Sequence, residues 1–335
     1  MPSPLNLAIL GDSVAWGQGL LQAHKYAYGV AAALGQPSKN VTMEAHSGAI
    51  IGISLDQNTT TIDPEIPAPA PKIVDQVLQF KNPDAIDVVI LNGGINDIGI
   101  QTIFNPLTAL DDLQSQTVQY CYYDMLALIG NAVATFTKPT CRFIITGYQT
   151  ILSPMSQPIT ASEAGDPLLQ FLAVFAPGFP AVFDRSAVVD KLIQLAQQFA
   201  TGSEAALEKA VQDAIMRYDS GFAVPLAKRM GFVSSGFGDE NALFASSCWI
   251  WGFGADFGPQ DEVAAAREAS CQLQYGNLEQ FAKIPMCNVA SVGHPNVAGA
   301  ASFTNAIVAA LNAMPVPDGN TELSQALAQP VSLPI

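Results

Sequence analysis

LNLAILGDS, residues 5–13, is a short apolar run stopped by a glycine and followed by two small polar residues. A run of that length and composition reads as a buried strand, and Gly11 lets the chain turn sharply at its carboxyl end. The stretches downstream repeat the theme. Leu20 to Leu34 reads as a helix closed by Gly35 and Pro37, and Val41 to Ala45 as a second strand. Asp87 to Leu91 (DVVIL) is β-branched and stops at Asn92-Gly93-Gly94, which marks a third strand. Val118, Cys121, Met125, Leu128 and Ala132 recur at helical spacing, and Arg142 to Thr146 is a fourth strand ended by Gly147. Strands alternating with helices predict an α/β fold built on a parallel sheet.

Beyond Gly147 the order changes. Ile151 to Asp184 is rich in proline and apolar residues with little periodicity. Two helices are expected next, Ser186 to Ala200 and Glu204 to Tyr218, then a fifth strand near Gly231 to Ser234. Phe237 to Ser291 reads mostly as loop, and a last helix runs from about Pro295 to Met314. These features predict one domain over residues 1–335 with an insertion at about 151–228 and a long loop at about 237–291. An insertion of that size and apolarity suits a lid over a site.

Composition narrows the functions. The chain carries 14 Lys and Arg against 29 Asp and Glu, a formal net charge of -15, which repels nucleic-acid backbones. No apolar run reaches the roughly 18 residues that a membrane span needs. The N-terminus lacks a basic region ahead of its apolar run, so no signal peptide is read there. The mature form of a secreted protein is expected ahead of a cytoplasmic one. The 5 cysteines include no C-x-x-C pair, so neither a metal nor a cofactor site is expected. Cys121 falls on an apolar helical face and reads as core. Cys248, Cys271 and Cys287 flank the irregular segment, where a disulfide would be useful.

Four short stretches carry chemistry. Gly11-Asp12-Ser13 puts a hydroxyl at the carboxyl end of the first strand, where open α/β sheets place their ligands. Alone, the triplet is also an ordinary turn and helix cap. Gly48, in His46-Ser47-Gly48-Ala49, lets a backbone amide approach a ligand closely. Gly94-Ile95-Asn96-Asp97 offers the neutral Asn96 amide as an anion donor. His294, fixed before Pro295, is the best-placed base among only 3 histidines. His24 reads as a surface or packing residue and His46 as a loop residue.

In this order the four stretches resemble the sequence blocks of the SGNH, or GDSL-type, hydrolases. The resemblance runs from residue 5 to about 313, with the insertion outside it. It implies a three-layer α/β/α, flavodoxin-like fold and an ester hydrolase that works through an acyl-enzyme. On that pattern Ser13 matches the nucleophile and His294 the base. The Ser13 amide, the Gly48 amide and the Asn96 side chain match the oxyanion hole, and Asp12 and Asp97 match positions that support the turns.

The pattern breaks at the catalytic acid. The family usually has an aspartate three residues before the histidine, and this chain has Ser291 there. A main-chain carbonyl or the Ser291 hydroxyl could accept the imidazole N–H. Alternatively Asp256 or Asp261 could supply a charge from the long loop.

The expected substrate is a small or lipid-like ester. The apolar 151–184 segment and Trp16, Trp249 and Trp251 either receive an acyl chain or pack a lid against the core. An acyltransferase using the same site, or a lipid- or glycan-binding relative without turnover, are the alternative readings. A G-x-S-x-G elbow is absent because Ala15 stands at its second glycine, which argues against the usual α/β-hydrolase arrangement.

Overall fold

In the computed structural model, residues 4–315 are described apart from 56–61, 68–70, 157–165, 181, 220–223, 254–259 and 278–279. β1 (Leu7–Leu10), β2 (Val41–Met43), β3 (Val88–Leu91), β4 (Arg142–Thr146) and β5 (Met230–Val233) form one parallel sheet in the order β2-β1-β3-β4-β5. Leu7 aligns with Val41 on one side and with Val88 on the other, and Ile145 pairs with Leu91. Every side chain of β1, β3 and β4 is buried. Such strands need cover on both faces, which is why they read as unbroken apolar runs rather than as alternating ones.

The helices are, in chain order, α1 (Ser13–Trp16), α2 (Tyr26–Ala33), α3 (Ile73–Leu78), α4 (Ile95–Ile98), α5 (Ile100–Ile103), α6 (Leu110–Val118), α7 (Met125–Thr135), α8 (Pro167–Phe175), α9 (Arg185–Tyr218), α10 (Ala264–Tyr275), α11 (Ile284–Asn288) and α12 (Val297–Ala313). A π-helical turn, Gln119–Asp124, joins α6 to α7. α2 and α12 pack on each other, while α3 packs on α7 and α7 on α9. The strand order reverses between β1 and β3. Connections leaving their carboxyl ends therefore diverge, and a crevice opens there.

Three expectations need correction. The two helices read at 186–200 and 204–218 are one helix of 34 residues, α9. Gly202 does not break it: a Cβ at that position would stand 3.3 Å from Gln114 Oε1, so the glycine lets α9 lie close to α6. Tertiary packing outweighs the roughly 1 kcal/mol that glycine costs a helix interior. The segment 237–291 is largely irregular, as read, but it also holds two helices that were not expected, α10 and α11, joined by a Cys271–Cys287 disulfide. Finally, the helix read at 20–34 begins as a 3-10 turn, Gln22–His24, and only Tyr26–Ala33 is α-helical. Cys121 and Cys141 are buried free thiols, and Cys248 is a half-buried one.

The described helices of 151–228 pack on the helical layer and on β5. α9 packs against α6, α7 and β5, and α8 buries Phe171 and Phe175 against Phe104.

Candidate active site

The turn after β1 is held by reciprocal hydrogen bonds. Asn92, at the end of β3, accepts from the Asp12 amide at 3.1 Å and donates through Nδ2 to Asp12 Oδ1 at 3.0 Å. Gln76 accepts from the Gly11 amide at 2.7 Å and donates back to the Gly11 carbonyl at 3.0 Å. Gly11 has φ +145°, and a Cβ there would lie 2.0 Å from Asn92 Oδ1, so only glycine fits. The Asp12 carboxylate caps α1 through the Val14 amide and accepts the Tyr148 hydroxyl at 2.7 Å. Tyr148 in turn accepts from the Ile95 amide at 3.1 Å. Asp12 is fully enclosed, so burial raises its pKa against the pull of those donors.

This bracket presents Ser13 at the head of α1. Its Oγ lies 2.7 Å from His294 Nε2. The imidazole is set by a turn: His294 Nδ1 lies 3.2 Å from the Ser291 carbonyl, which also accepts the His294 amide at 2.9 Å. Backbone hydrogen bonds from the Trp251 amide to the His294 carbonyl and from the Gly293 amide to the Trp251 carbonyl fix the turn from the other side. The Nδ1 proton thus has a neutral acceptor, which selects the tautomer with a bare Nε2 facing Ser13.

No carboxylate touches the imidazole among the described residues. Asp261 instead accepts the Ser291 hydroxyl at 2.6 Å and is clamped by Arg267 at 3.1 and 2.6 Å. Arg267, 1% exposed, also donates to the Asn288 carbonyl and approaches Glu65 at 3.7 Å. Glu65 continues the chain to Trp16 Nε1 at 2.8 Å and to Lys25 at 3.8 Å. A buried, alternating set of charges thus lies behind the histidine turn. Burial, opposed by the Ser291 carbonyl and Asp261 and assisted by Arg267, lowers the His294 pKa from 6.5 to about 4. Asp256 lies outside the described residues.

Gly48 and Asn96 stand on the same crevice. Gly48, at φ +76°, occupies a turn closed by the Ala49 amide and the His46 carbonyl. Asn96 donates one N–H to the Ala49 carbonyl at 3.0 Å, and Asp97 accepts the Ile51 amide at 3.0 Å, so α4 and the Gly48 loop are tied together. Burial raises the Asp97 pKa to about 7. Neither the Ser13 amide nor the Gly48 amide is hydrogen-bonded among the described residues. Asp12 and Asp97 each hold a turn through a backbone amide.

Ser13, Gly48, Asn96 and His294 line one cavity of about 370 Å³. Its other walls include Ile50, Ile100, Ile151, Phe175, Met286 and Val289. The apolar wall thus comes from the Gly48 loop, from α5 and α8, and from the α11 region. None of the tryptophans contributes to it. Trp16 lies under the Lys25 ammonium, Trp249 packs on Phe237, and Trp251 is buried. His24 is exposed and pairs with Glu262, and His46 is buried with Nδ1 2.7 Å from the Ser47 carbonyl. Asn92, Gln76 and Tyr148 escape the sequence reading because each acts through a partner remote along the chain, and Arg267 escapes it because its link to the histidine turn runs through Asp261 and Ser291.

Neither a family model nor a curated protein matches this chain. Among solved structures it is similar to a lipase from a goat rumen metagenome, at 12% identity and a TM-score of 0.41, over 91% of this chain and 97% of that one. The likeness is distant.

With only 3 histidines, a proton NMR titration resolves each ring. The resonance that disappears in His294→Ala is expected to titrate near pH 4, neutral above and protonated below. A midpoint at or above the ordinary 6.5 would contradict the burial described for it.

Proposed function

We propose that this protein is a serine carboxylester hydrolase that works through an acyl-enzyme on esters with an apolar acyl chain. The observation that carries the reading is the 2.7 Å approach of His294 Nε2 to Ser13 Oγ at the wall of an apolar cavity. A neutral imidazole bonded to a hydroxyl is a poised base–nucleophile pair, and the lowered pKa keeps that imidazole neutral over most of the pH range.

The reaction follows from the geometry. Ser13 Oγ attacks the ester carbonyl carbon as its proton passes to His294 Nε2. The developing oxyanion is met by the Ser13 and Gly48 amides and by Asn96, donors fixed before the reaction begins. His294 then returns the proton to the leaving alcohol. Water opens the acyl-Ser13 ester by the same steps, with His294 again as base. The imidazolium formed at each step is stabilised by the Ser291 carbonyl dipole rather than by a bonded carboxylate. This is a dyad. Asp261 acts from behind Ser291, with most of its charge answered by Arg267.

The SGNH fold remains the family reading that accounts for most of these features. The order β2-β1-β3-β4-β5 is that of flavodoxin-like sheets, whose switch point lies between β1 and β3. The Ser13 and Asn96 stretches leave those two strands. We also read the chain as one domain whose insertion walls the cavity through Ile151 and Phe175.

Hydrolysis of p-nitrophenyl esters from acetate to palmitate tests the assignment. Wild type is expected to turn over, and Ser13→Ala and His294→Ala to lose at least about 10³-fold in kcat. Equal, negligible rates in all three would remove the hydrolase reading. The kcat/KM of the wild type should rise with pH through about 4 as His294 becomes neutral. The dyad has its own check. Ser291→Ala and Asp261→Asn should each stay within about tenfold of wild type, against the roughly 10⁴-fold loss that follows disabling a directly bonded triad carboxylate. A loss of that size in a folded Asp261→Asn protein would make Asp261 the catalytic acid.

A further inference from the structure

Two consecutive residues beyond β4 reach opposite sides of the site. Tyr148 holds Asp12 and Ile95, on the nucleophile side. Gln149, 2% exposed, donates through Nε2 to the Gly293 carbonyl at 2.8 Å, on the residue just before His294. A carbonyl partner fixes which end of the Gln149 amide faces it, because an oxygen there would be repelled. Oε1 must then point away from Gly293. It is buried, accepts no hydrogen bond among the described residues, and belongs to a side chain that lines the same cavity as Ser13 and His294. An unpartnered buried amide oxygen beside His294, in a cavity whose walls are largely apolar, is a site for a small donor.

The chemistry of deacylation supplies one. A water molecule attacking the acyl-Ser13 carbonyl gives one proton to His294 Nε2 and forms a bond from its oxygen to the carbonyl carbon. Its second O–H stays on that oxygen throughout. In an apolar cavity that O–H needs an acceptor, and its direction decides where the attacking lone pair points. The tetrahedral intermediate then collapses, the bond to Ser13 Oγ breaks, and His294 returns the proton to Oγ. An alcohol attacking the same ester has one O–H, which His294 takes, and leaves nothing for a second acceptor.

We infer that Gln149 positions the deacylating water by accepting its second O–H at Oε1, and so biases the acyl-enzyme toward hydrolysis over transfer to alcohols. This rests on the esterase reading above. The Nε2 bond to Gly293 keeps the acceptor in register with the base. Removing the side chain therefore has two separable effects: a looser histidine turn slows every step, whereas a lost acceptor slows only attack by water.

Partitioning separates them. Wild type, Gln149→Met and Gln149→Glu are given p-nitrophenyl butyrate in buffer with increasing methanol, and methyl butyrate and butyrate are quantified by gas chromatography. Both products come from the same acyl-enzyme, so defects in acylation cancel from their ratio. Gln149→Met, similar in length but without the acceptor, should raise the ratio of methyl ester to acid about 3- to 10-fold, the worth of one hydrogen bond between neutral groups. Gln149→Glu, read at a pH where the buried acid is protonated, donates its O–H to the Gly293 carbonyl, keeps its other oxygen as the acceptor, and should leave the ratio at or below that of wild type. A folded Gln149→Met enzyme with slower turnover but an unchanged ratio would overturn the inference and leave Gln149 as a brace for Gly293. Should that variant fail to fold by circular dichroism, Gln149→Leu carries the same two outcomes. A wild type that forms neither product would instead remove the esterase reading itself.

Discussion

The reciprocal hydrogen bonds between Asp12 and Asn92 join the ends of β1 and β3 at the point where the sheet order reverses. Elsewhere in the sheet, apolar burial and ladder hydrogen bonds are enough, and many side chains of similar shape would serve. At this junction the tolerance disappears. Gly11 must lack a Cβ to let Asn92 approach, Asp12 must accept from Val14 to start α1, and Tyr148 must reach across from β4. These are buried polar contacts, where each unmade bond costs about 1–3 kcal/mol, so their geometry is sharply specified. The position of the Ser13 hydroxyl is a consequence of that specification.

The opposite side of the site is organised by charge rather than by strand ends. Lys25, Glu65, Arg267 and Asp261 alternate in sign behind the histidine turn and meet it only through Ser291. Isolated buried charges are costly, and alternation removes most of the penalty. It also leaves little net field at the imidazole. An imidazole placed there stays neutral and fixed in orientation at rest, but receives modest help when it becomes charged. The Cys271–Cys287 disulfide ties α10, which carries Arg267, to α11, which leads into the turn. The His294 turn is therefore braced covalently, while the Ser13 turn is braced by the sheet.

The parts legible in the sequence are those whose signal is local. β1, β3 and β4 read from short apolar runs with glycine stops, Ser13, Gly48 and Asn96 sit in turns that follow strands, and His294 opens the last helix. Helix ends and breaks read less well. Gly202 looks like a break because nothing nearby in sequence reveals that α6 lies against it. The supporting polar residues are the least legible. Asn92 reads as a strand stop and Gln149 as a polar residue in a loop, since their partners stand 80 and 144 positions away. Ser291 marks where the expected carboxylate is missing, but its answer, a carbonyl backed by Asp261 and Arg267, exists only once α10 has folded against the turn. Trp16, Trp249 and Trp251 mislead for the opposite reason: large aromatic side chains suit a binding wall and a packed core equally well.

The proposed site requires that His294 activate Ser13. Reaction with a fluorophosphonate, followed by peptide mass spectrometry, tests it without any assumption about the natural ester. One adduct per chain is expected on the peptide containing Ser13, none in Ser13→Ala, and much slower labelling in His294→Ala. A wild-type chain that takes up no label, or that labels Ser13 equally fast without His294, would contradict it.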